Sequence, residues 1–254
     1  MKKIIWLVGA STGIGAALVR ELAQDAERLY ISARSADKLS ALAEQFSNVN
    51  ILPFDVTDRA GRHAAIAEIE QQSGRLDTLV LNAGTCEYVD LEQGDTDLGL
   101  YQRVLDTNFH GPVALTHEAL HLLRRSDAGC IVGISSSVIF TPLPRSQAYG
   151  SSKAAFTYWL STMAIDLRGE GISVVIVSPG FVDTPLTQLN DFKMPFLLSP
   201  ENAAQRIRDG INRGKTHLHF PKRFTLLLLL EGLLPLRWQH ALNSKLSRNK
   251  TKHT

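Results

Sequence analysis

The sequence predicts a doubly wound α/β fold, a parallel β-sheet with helices on both faces, on two observations. Apolar runs alternate with segments of helical periodicity along most of the 254 residues. Alternation of this kind requires right-handed crossovers, and these make the strands parallel. The first apolar run ends in a glycine-rich turn, 9–15, that opens directly into a helical segment. We therefore expect one Rossmann-like domain over 1–220, followed by a hydrophobic and basic helical tail over 221–254.

The strands are predicted from short apolar runs with turn residues at their ends, which are typical of buried parallel strands. Six such runs occur, at 2–9, 28–33, 49–56, 76–84, 129–137 and 172–180. Helices are predicted between and after them from their apolar spacing, at 14–25, 35–46, 62–74, 97–125, 148–169 and 199–211. The last helix carries start signals, with Ser199 as N-cap, Pro200 at the first position and Glu201 in the first turn.

Gly9, Gly13 and Gly15 form the turn between the first predicted strand and its helix. Glycine lets the backbone approach a pyrophosphate closely, and the helix start offers free N–H groups to the anion. No Lys-Ser or Lys-Thr pair follows Gly15, so a P-loop is excluded. The alternative is a secretory signal, because two lysines precede the apolar run. The strand–turn–helix context favours a dinucleotide-binding loop.

The composition is that of a globular protein, with 44% hydrophobic residues, 20% charged residues and a net charge of +2. So small a net charge does not indicate nucleic-acid binding, and we expect none. The two cysteines form no CxxC pair, so we expect neither a disulfide framework nor a metal site, and a reducing, cytoplasmic location. The charge is unevenly distributed: residues 221–254 contain seven Lys or Arg and a single acid, Glu231.

Tyr149 and Lys153 are four residues apart in a predicted helix, which places both on one helix face. A free phenol has a pKa of about 10, and a neighbouring ammonium should lower that pKa. The pair is therefore a candidate general acid/base, the alternative being a solvated helix face. Ser136 ends a predicted strand, where open α/β sheets bind ligands, and its hydroxyl can hold a substrate oxygen. The run of three serines, 135–137, leaves this choice ambiguous by one position, and the alternative for Ser135 and Ser137 is that they cap a turn.

Seven motifs in order and at matching spacing make the chain resemble the short-chain dehydrogenase/reductase family over residues 3 to about 215. They are GASTGIG (9–15), DVTD (55–58), NAG (82–84), Asn108 within DTNFHGP, ISSS (134–137), YGSSK (149–153) and SPGFVDTP (178–185). Three positions depart from the family pattern, namely Val8, Leu81 and Gly133. The departures remove no acid, base or cofactor contact.

The resemblance implies an oxidoreductase that moves a hydride between a nicotinamide and a carbonyl or alcohol carbon. It assigns proton transfer to Tyr149, substrate positioning to Ser136 and tuning of the phenol to Lys153, with Asn108 bending its helix and supporting a proton relay. It also implies a set of cofactor-binding residues: Gly9, Ser11, Thr12, Gly13, Ile14, Gly15, Asp55, Val56, Asn82, Ala83, Gly84, Tyr149, Lys153, Pro179, Gly180, Val182 and Thr184.

The end of the second predicted strand bears on the choice of cofactor. An acid there would bind the ribose 2′-hydroxyl of NAD, but the residues are Ser32-Ala33-Arg34-Ser35. Arg34 can instead make charge-assisted hydrogen bonds with a 2′-phosphate. We therefore expect NADP rather than NAD, the alternative for Arg34 being a solvated charge at a helix start.

Two other functions stay open at this point. The first is a catalytically silent NADP-binding sensor or scaffold, since a fold alone does not prove a function. The second, more remote, is an epimerase or dehydratase of the family's longer branch, which usually has a larger carboxyl-terminal region. Retention of both Tyr149 and Lys153 favours catalysis.

The segment 186–198 follows the last motif and is expected to form a substrate lid. Its apolar residues favour a hydrophobic substrate, although core packing would explain them equally: Leu186, Leu189, Phe192, Met194, Phe196 and Leu197. A homodimer or homotetramer is expected through the helices at 97–125 and 148–169, because the second is apolar around most of its circumference.

The stretch 223–238 is the most hydrophobic in the chain, but it is shorter than the roughly 20 apolar residues that span a bilayer. Its five consecutive leucines, 226–230, cannot all face inward on one helix. Either a second subunit or a membrane surface should cover some of them, and the normal globular sequence before the tail favours the subunit. In the membrane alternative, lipid headgroups would face the basic residues Lys222, Arg223, Arg237, Lys245, Arg248, Lys250 and Lys252.

Overall fold

The computed structural model describes residues 2–89, 91, 97–188, 190 and 192–244. Its centre is a seven-stranded sheet of order β3-β2-β1-β4-β5-β6-β7, and each pair of neighbours is parallel. The strands are β1 (Lys3–Val8), β2 (Ala26–Ser32), β3 (Val49–Ile51), β4 (Thr78–Leu81), β5 (Cys130–Ile134), β6 (Ser173–Pro179) and β7 (His217–Phe220). The predicted doubly wound, Rossmann-like fold is confirmed.

Helices connect the strands and follow the sheet. The described helices are α1 (Gly13–Asp25), α2 (Ala36–Ala43), α3 (Arg59–Ser73), α4 (Leu98–Leu105), α5 (Gly111–Leu123), α6 (Gln147–Asp166), α7 (Pro200–Asn212), α8 (Lys222–Gly232) and α9 (Leu236–Ser244). The start of α7 is as predicted, because Ser199 is its N-cap and the Ser199 side chain accepts a hydrogen bond of 3.2 Å from the backbone N–H of Asn202.

Two hydrophobic cores lie on opposite faces of the sheet. One contains residues of α3, α5 and α6, with Trp6, Leu79 and Phe156 among its buried members. The other contains residues of α1, α2 and α7, including Leu18 and Ile207. Successive side chains of a strand point to opposite faces, so β1 contributes Trp6 to the first core and Leu7 to the second. The continuous apolar runs of the central strands are the sequence signature of this two-sided burial.

The structure differs from the predicted elements at three places. The predicted strand 49–56 is regular only to Ile51, although the N–H groups of Leu52 and Phe54 still donate hydrogen bonds of 2.9 Å and 3.1 Å to the carbonyl oxygens of Ile31 and Ala33. The predicted helix 97–125 is interrupted by a π-helical turn, Asp106–His110, between α4 and α5. Strand β7 was not predicted, since its sequence His-Leu-His-Phe lacks a continuous apolar run.

The chain beyond β7 forms two short helices rather than one long one. Helix α8 packs on a 3-10 turn, Ser137–Phe140, that directly follows Ser136. Pro235 precedes α9, where proline is well tolerated at a helix start. Within the described residues, no helix combines the length and the apolar character needed to cross a bilayer.

Candidate active site

A cavity of about 790 Å³ lies at the carboxyl ends of the strands. The chain passes from β1 outward to β3 on one side and resumes with β4 on the other side of β1, so the topology switches there. Such switch points are where open α/β sheets bind ligands. All predicted site residues except Gly15 and Asn108 line this cavity. The fold thus brings together residues that are up to about 170 positions apart in the sequence.

The glycine turn lies at the β1 end of the cavity and leaves no space for side chains. Gly9 and Gly13 have φ angles of +91° and +55°, which favour glycine. A Cβ atom on Gly9 would lie 2.4 Å from the backbone nitrogen of Ala83, and one on Gly15 would lie 2.0 Å from the carbonyl oxygen of Gly9. Gly15 therefore lies behind the cavity wall, where it lets α1 pack closely against the turn.

The end of β4 holds the glycine turn in place. The side-chain amide of Asn82 donates a hydrogen bond of 2.6 Å to the carbonyl oxygen of Gly9. Thr12, the N-cap of α1, makes no side-chain capping hydrogen bond. The first N–H groups of α1 are consequently not capped by that side chain, and Gly13 and Ile14 line the cavity. This arrangement suits a phosphate at the helix start.

Two basic side chains, Arg34 and Lys38, lie just after β2. Arg34 was predicted from the sequence and Lys38 was not. Arg34 and Lys38 both line the cavity, and Ser35 between them caps α2. Within the described part of the chain, neither cation forms an ion pair. Lys38 could have been predicted from its spacing, because it is four residues after Arg34 across a helix start and such residues lie on the same side of a helix. The start of α2 adds its own partial positive charge.

Tyr149 lies on the first turns of α6, and its hydroxyl group contacts Ser136. Burial raises the pKa of Tyr149 to about 12, and the hydrogen bond with Ser136 partly opposes that rise. The sequence predicted that the ammonium of Lys153 would lower the pKa of Tyr149. This prediction is wrong for the protein without a cofactor. The Lys153 Nζ atom lies 5.9 Å from the centroid of the Tyr149 ring, and the loss of hydration outweighs its charge.

The three consecutive serines have different partners. Ser136 contacts Tyr149, and its Oγ also accepts a hydrogen bond of 3.2 Å from the N–H of Val138, which caps the 3-10 turn. Ser135 points elsewhere, since its Oγ lies 2.6 Å from Oγ1 of Thr157. Ser137 is buried in the turn. Of these three hydroxyl groups, that of Ser136 is therefore the one beside the phenol. Ser136 also caps the turn, so the expectation that Ser135 and Ser137 do so is wrong.

Lys153 is a cation held in a buried position. Its side chain is one turn after Tyr149, the residue is only 4% exposed, and Nζ donates a hydrogen bond of 2.9 Å to the carbonyl oxygen of Ile134. Burial lowers the pKa of Lys153 to about 8. An ammonium has three N–H donors, so donors remain for further oxygen acceptors in the cavity. Hydroxyl groups of a ribose are acceptors of that kind.

Asn108 lies in the π-helical turn and is 1% exposed. Its Oδ1 accepts a hydrogen bond of 2.8 Å from the N–H of Thr85, and its Nδ2 donates to the Thr85 carbonyl and to Oγ of Ser152, each at 2.9 Å. Asn108 thus connects the loop after β4 with α6. A Cβ atom on Gly84 would lie 3.3 Å from Oδ1 of Asn108 and 3.4 Å from Nζ of Lys153, so both polar groups flank the same glycine.

The end of β6 closes the opposite side of the cavity. Pro179, Gly180, Val182 and Thr184 line it, as do Leu186 and Thr187 from the start of the predicted lid. The Oγ1 of Thr187 accepts a hydrogen bond of 2.9 Å from the N–H of Thr184. Within 186–198, Leu189 lies outside the described residues.

An aromatic cluster extends from this side of the cavity. Phe192 packs edge-on against both Tyr88 and Phe181, with ring centroids 6.3 Å and 5.9 Å apart. Phe224 of α8 lies over Phe181 at 5.3 Å. Tyr88 and Phe224 were not predicted to lie near the site, because neither belongs to one of the motifs and Phe224 lies about 40 residues after the last of them.

Residues 117–121 of α5 are His-Glu-Ala-Leu-His, a spacing at which a helix can present two histidines to zinc. In the structure Glu118 forms an ion pair of 2.8 Å with Arg62, and Nε2 of His121 lies 3.7 Å from Glu70. Among the described residues, no group of three His, Cys, Asp or Glu side chains is placed to hold a metal ion. The pattern therefore does not support a metal site, and the absence of a metal stays a prediction.

The cavity fits a dinucleotide cofactor in shape and in chemistry. The glycine turn and the start of α1 suit a pyrophosphate, and the buried ammonium of Lys153 suits a ribose. Asp55 and Val56 line the side between the glycine turn and α3, where an adenine would lie. The sequence-predicted cofactor residues could therefore hold one extended ligand along a continuous wall.

Comparisons with known proteins agree with this geometry. The family model described as short chain dehydrogenase matches residues 3–193. An uncharacterized oxidoreductase of Myxococcus xanthus is 31% identical over 233 residues, covering 90% of this chain and 91% of that protein. The 11-beta-hydroxysteroid dehydrogenase-like 3 of Arabidopsis thaliana is 32% identical over 252 residues, covering 95% and 81% respectively.

A solved structure extends the similarity to the whole fold. The crystal structure of a short-chain dehydrogenase from Streptomyces avermitilis superposes with a TM-score of 0.83 at 25% sequence identity, covering 98% of each chain. The family model covers well over half of the chain and contains the glycine turn, Ser136, Tyr149 and Lys153. The chain therefore belongs to the short-chain dehydrogenase family.

Proposed function

We propose that this protein is an NADP-dependent oxidoreductase that interconverts a carbonyl and an alcohol group on a hydrophobic small molecule. The observation that carries the proposal is the convergence of Ser136, Tyr149 and Lys153 on one wall of the cavity that also contains the glycine turn. An acid/base, a hydroxyl that can hold an oxygen and a buried cation then lie together in one cleft. These are the parts that proton-coupled hydride transfer requires.

Each residue has a separate role in the proposed reaction. The nicotinamide, when bound, supplies or accepts the hydride. Ser136 donates a hydrogen bond to the substrate oxygen and orients it beside the phenol. In the reductive direction Tyr149 gives its proton to that oxygen, and in the oxidative direction it takes the proton back. A pKa raised to about 12 keeps the phenol protonated in the protein alone, which is the form needed for reduction.

Lys153 has two functions in this scheme. Its ammonium binds the ribose of the cofactor, and its charge stabilises the phenolate that forms when Tyr149 gives up a proton. Asn108 is a positioning residue, because its three hydrogen bonds hold the loop after β4 and α6 at a fixed distance. The Asn108 side chain and the Lys153 ammonium both flank Gly84. We assign to Asn108 a part in returning a proton from solvent to the active site.

The proposed preference for NADP rests on the residues between the end of β2 and the start of α2. Arg34, Lys38 and the start of α2 place positive charge where a ribose 2′-phosphate would lie, and neither cation is neutralised by a carboxylate among the described residues. Charge-assisted hydrogen bonds are roughly twice as strong as neutral ones. This preference suggests the reductive direction, which we propose as the working one.

The hydrophobic substrate class rests on the aromatic cluster of Tyr88, Phe181, Phe192 and Phe224 beside the lid. Aromatic faces of this kind bind apolar ring systems and long alkyl chains. A relative from Arabidopsis thaliana bears the name 11-beta-hydroxysteroid dehydrogenase-like 3, which agrees with a large apolar substrate. We therefore propose ketones or aldehydes with a bulky apolar body.

The reaction is tested by screening NADPH oxidation against a carbonyl panel that includes steroid ketones and long-chain aldehydes. We expect turnover with apolar members, and we expect Tyr149→Phe to bind NADPH normally but to keep less than a hundredth of that turnover, since only the acidic hydroxyl is lost. Tyr158→Phe, the same change at an exposed tyrosine of α6, is the control. Turnover above a tenth of wild type in Tyr149→Phe would reject Tyr149 as the acid/base. Binding of NADPH without turnover of any substrate would favour a sensor or scaffold instead.

The cofactor preference is tested by titrating NADPH and NADH against wild type, Arg34→Ala and Lys38→Ala. Losing two charge-assisted contacts costs about 3 kcal/mol, or roughly a hundredfold in affinity. We expect each single substitution to weaken NADPH binding about tenfold and to leave NADH binding unchanged. Arg168→Ala, which removes an exposed arginine from the 3-10 turn after α6, should change neither. Equal affinities of wild type for the two cofactors would refute the preference.

A further inference from the structure

The two C-terminal helices expose an apolar surface, which we name the leucine face. Its members are large apolar side chains that are between 46% and 81% exposed: Leu226, Leu227, Leu230, Leu233, Leu236, Trp238 and Leu242. Single exposed apolar residues are normal on a protein surface, but a contiguous group of this size usually marks an interaction site. The leucine face therefore requires a partner.

The inner side of the same helices is rich in polar groups, although Leu228 of α8 is also buried there, so the usual amphipathic arrangement is largely reversed. Thr225, Gln239 and Asn243 are buried, whereas Leu233 is 81% exposed. Asn243 contacts Oε1 of Glu231 and donates a hydrogen bond of 3.2 Å to Oγ1 of Thr141, and Gln239 donates to the Leu234 carbonyl at 2.8 Å. A helix on a water-facing surface would bury its leucines and expose these amides. The reversal indicates an apolar environment outside the leucine face.

The charges around the leucine face are basic. Lys222, Arg223 and Arg237 are exposed on the two helices. Glu231 is turned inward and hydrogen-bonded to Thr141, at 3.2 Å, and it is the only acid between Pro221 and the end of the sequence. Four further basic residues, Lys245, Arg248, Lys250 and Lys252, follow α9 in the sequence and lie outside the described residues.

This charge pattern distinguishes between the two candidate partners. In a two-fold dimer the same patch of both subunits meets, so the basic residues around one leucine face, Lys222, Arg223 and Arg237, would lie close to the same basic residues of the second subunit. An anionic lipid surface complements both properties, because it attracts the basic residues and accepts the leucines and Trp238 between its headgroups. The observations therefore favour lipid over a second copy of the chain.

The predicted lid adjoins the leucine face. Phe196 and Leu197 are 47% and 43% exposed, and the Phe196 ring lies 6.3 Å from the ring of Phe224 on α8. Phe224 in turn packs on Phe181, next to the cavity-lining residue Gly180. Ring contacts through Phe224 thus link the lid and α8 to the edge of the cavity.

We propose that the leucine face docks the protein on the surface of an anionic membrane, with α8 and α9 lying in the plane of the headgroups. Helix α8 has 11 residues, so it lies on the bilayer rather than across it. Docking brings the lid, and with it the edge of the cavity, next to the lipid. The proposal is independent of the proposed reaction, since vesicle binding is measured without turnover.

The test is flotation of the full chain with vesicles of phosphatidylcholine plus phosphatidylserine, and with vesicles of phosphatidylcholine alone, at low and high salt. We expect flotation with the anionic vesicles, and we expect it to weaken at high salt because the basic residues are then screened. Leu230→Gln/Leu233→Gln should reduce the floated fraction at least tenfold. Leu98→Gln, at an exposed leucine on α4, is the matched control and should float like wild type.

Circular dichroism and NADPH binding verify that the double variant is folded, as its two side chains are exposed. Failure of the full chain to float at low salt would overturn the proposal, and so would equal flotation of the double variant. Sedimentation decides what covers the face in those cases. A wild-type dimer that becomes a monomer in the double variant would show that a second copy occupies the leucine face.

Discussion

Lys153 shows how burial changes the properties of a single residue. Its pKa is lowered to about 8 because the ammonium is 4% exposed and has only one hydrogen-bond acceptor, the Ile134 carbonyl, among the described residues. A buried cation without a carboxylate partner is costly to the folded state. A purely structural role would be better served by an apolar side chain, so the cost points to a function for the charge.

This residue should make stability rise with pH. The unfolded chain holds the Lys153 proton up to a pKa of about 10.5, whereas the folded chain holds it only to about 8. Between these values the unfolded state binds more protons, so the free energy of unfolding increases with pH, by about 3 kcal/mol in total. We expect urea unfolding of Lys153→Met to lack this contribution between pH 8 and 10. The raised pKa values of Cys86 and Tyr149 lower the free energy of unfolding as pH rises, but they do so in both proteins, so the difference between wild type and Lys153→Met isolates Lys153.

The same variant separates stability from function. Lys153→Met removes the buried charge, so at pH 7 it should be at least as stable as wild type, while cofactor binding and turnover are both lost. Parallel curves of unfolding free energy against pH for the two proteins would contradict the assigned pKa. A variant that is unstable as well as inactive would indicate a structural role for the ammonium.

At the scale of elements, the contact between β5 and α6 positions Tyr149 and Lys153 over the cavity. Leu160 and Phe156 of α6 pack directly on Gly133 of β5, and both are buried. A Cβ atom on Gly133 would lie 2.2 Å from Cδ1 of Leu160. The departure from the family pattern at position 133 thus has a physical reason in this chain: glycine lets α6 approach the sheet closely.

Gly133→Ala should therefore destabilise the fold. Overpacking a buried contact costs about 1–3 kcal/mol, and we expect a decrease of that size in the free energy of unfolding measured with urea. Gly169→Ala is the control, since a Cβ atom there meets nothing within 4 Å. Equal stabilities of the two alanine variants would show that Leu160 moves aside without cost.

At the scale of the whole molecule, α6 presents a second apolar surface. Tyr158 and Ile165 are 79% and 75% exposed and lie seven residues apart, on one face of the helix. Its other large apolar residues, Phe156, Leu160 and Met163, are buried, and Phe156 is stacked on Trp159. Members of the family are commonly oligomeric, and we propose that this face of α6, together with α4 and α5, forms the subunit interface.

Sedimentation tests this interface separately from the leucine face. We expect a dimer or tetramer for wild type and a monomer of 28.0 kDa for Tyr158→Lys/Ile165→Lys, because like charges would meet across a two-fold axis. Leu230→Gln/Leu233→Gln should keep the wild-type oligomer. A wild-type monomer at micromolar concentration would exclude the α6 interface.

The sequence by itself determined the fold class, the glycine turn and the pairing of Tyr149 with Lys153. These depend on local patterns: apolar runs, glycine positions and a four-residue spacing along one helix. The signals are short-range, because each arises from the geometry of a single strand, turn or helix. The start of α7 at Ser199 was predictable for the same reason.

Only the tertiary structure decided which way burial shifts the pKa of Tyr149, and that Ser136 beside it also caps the following turn. It also decided the π-helical turn around Asn108, which depends on contacts with Thr85 and Ser152. The burial of polar side chains and the exposure of leucines on α8 and α9 were likewise decided only by the tertiary structure. Desolvation and contacts between distant segments set all of these, and neither depends on sequence neighbours alone.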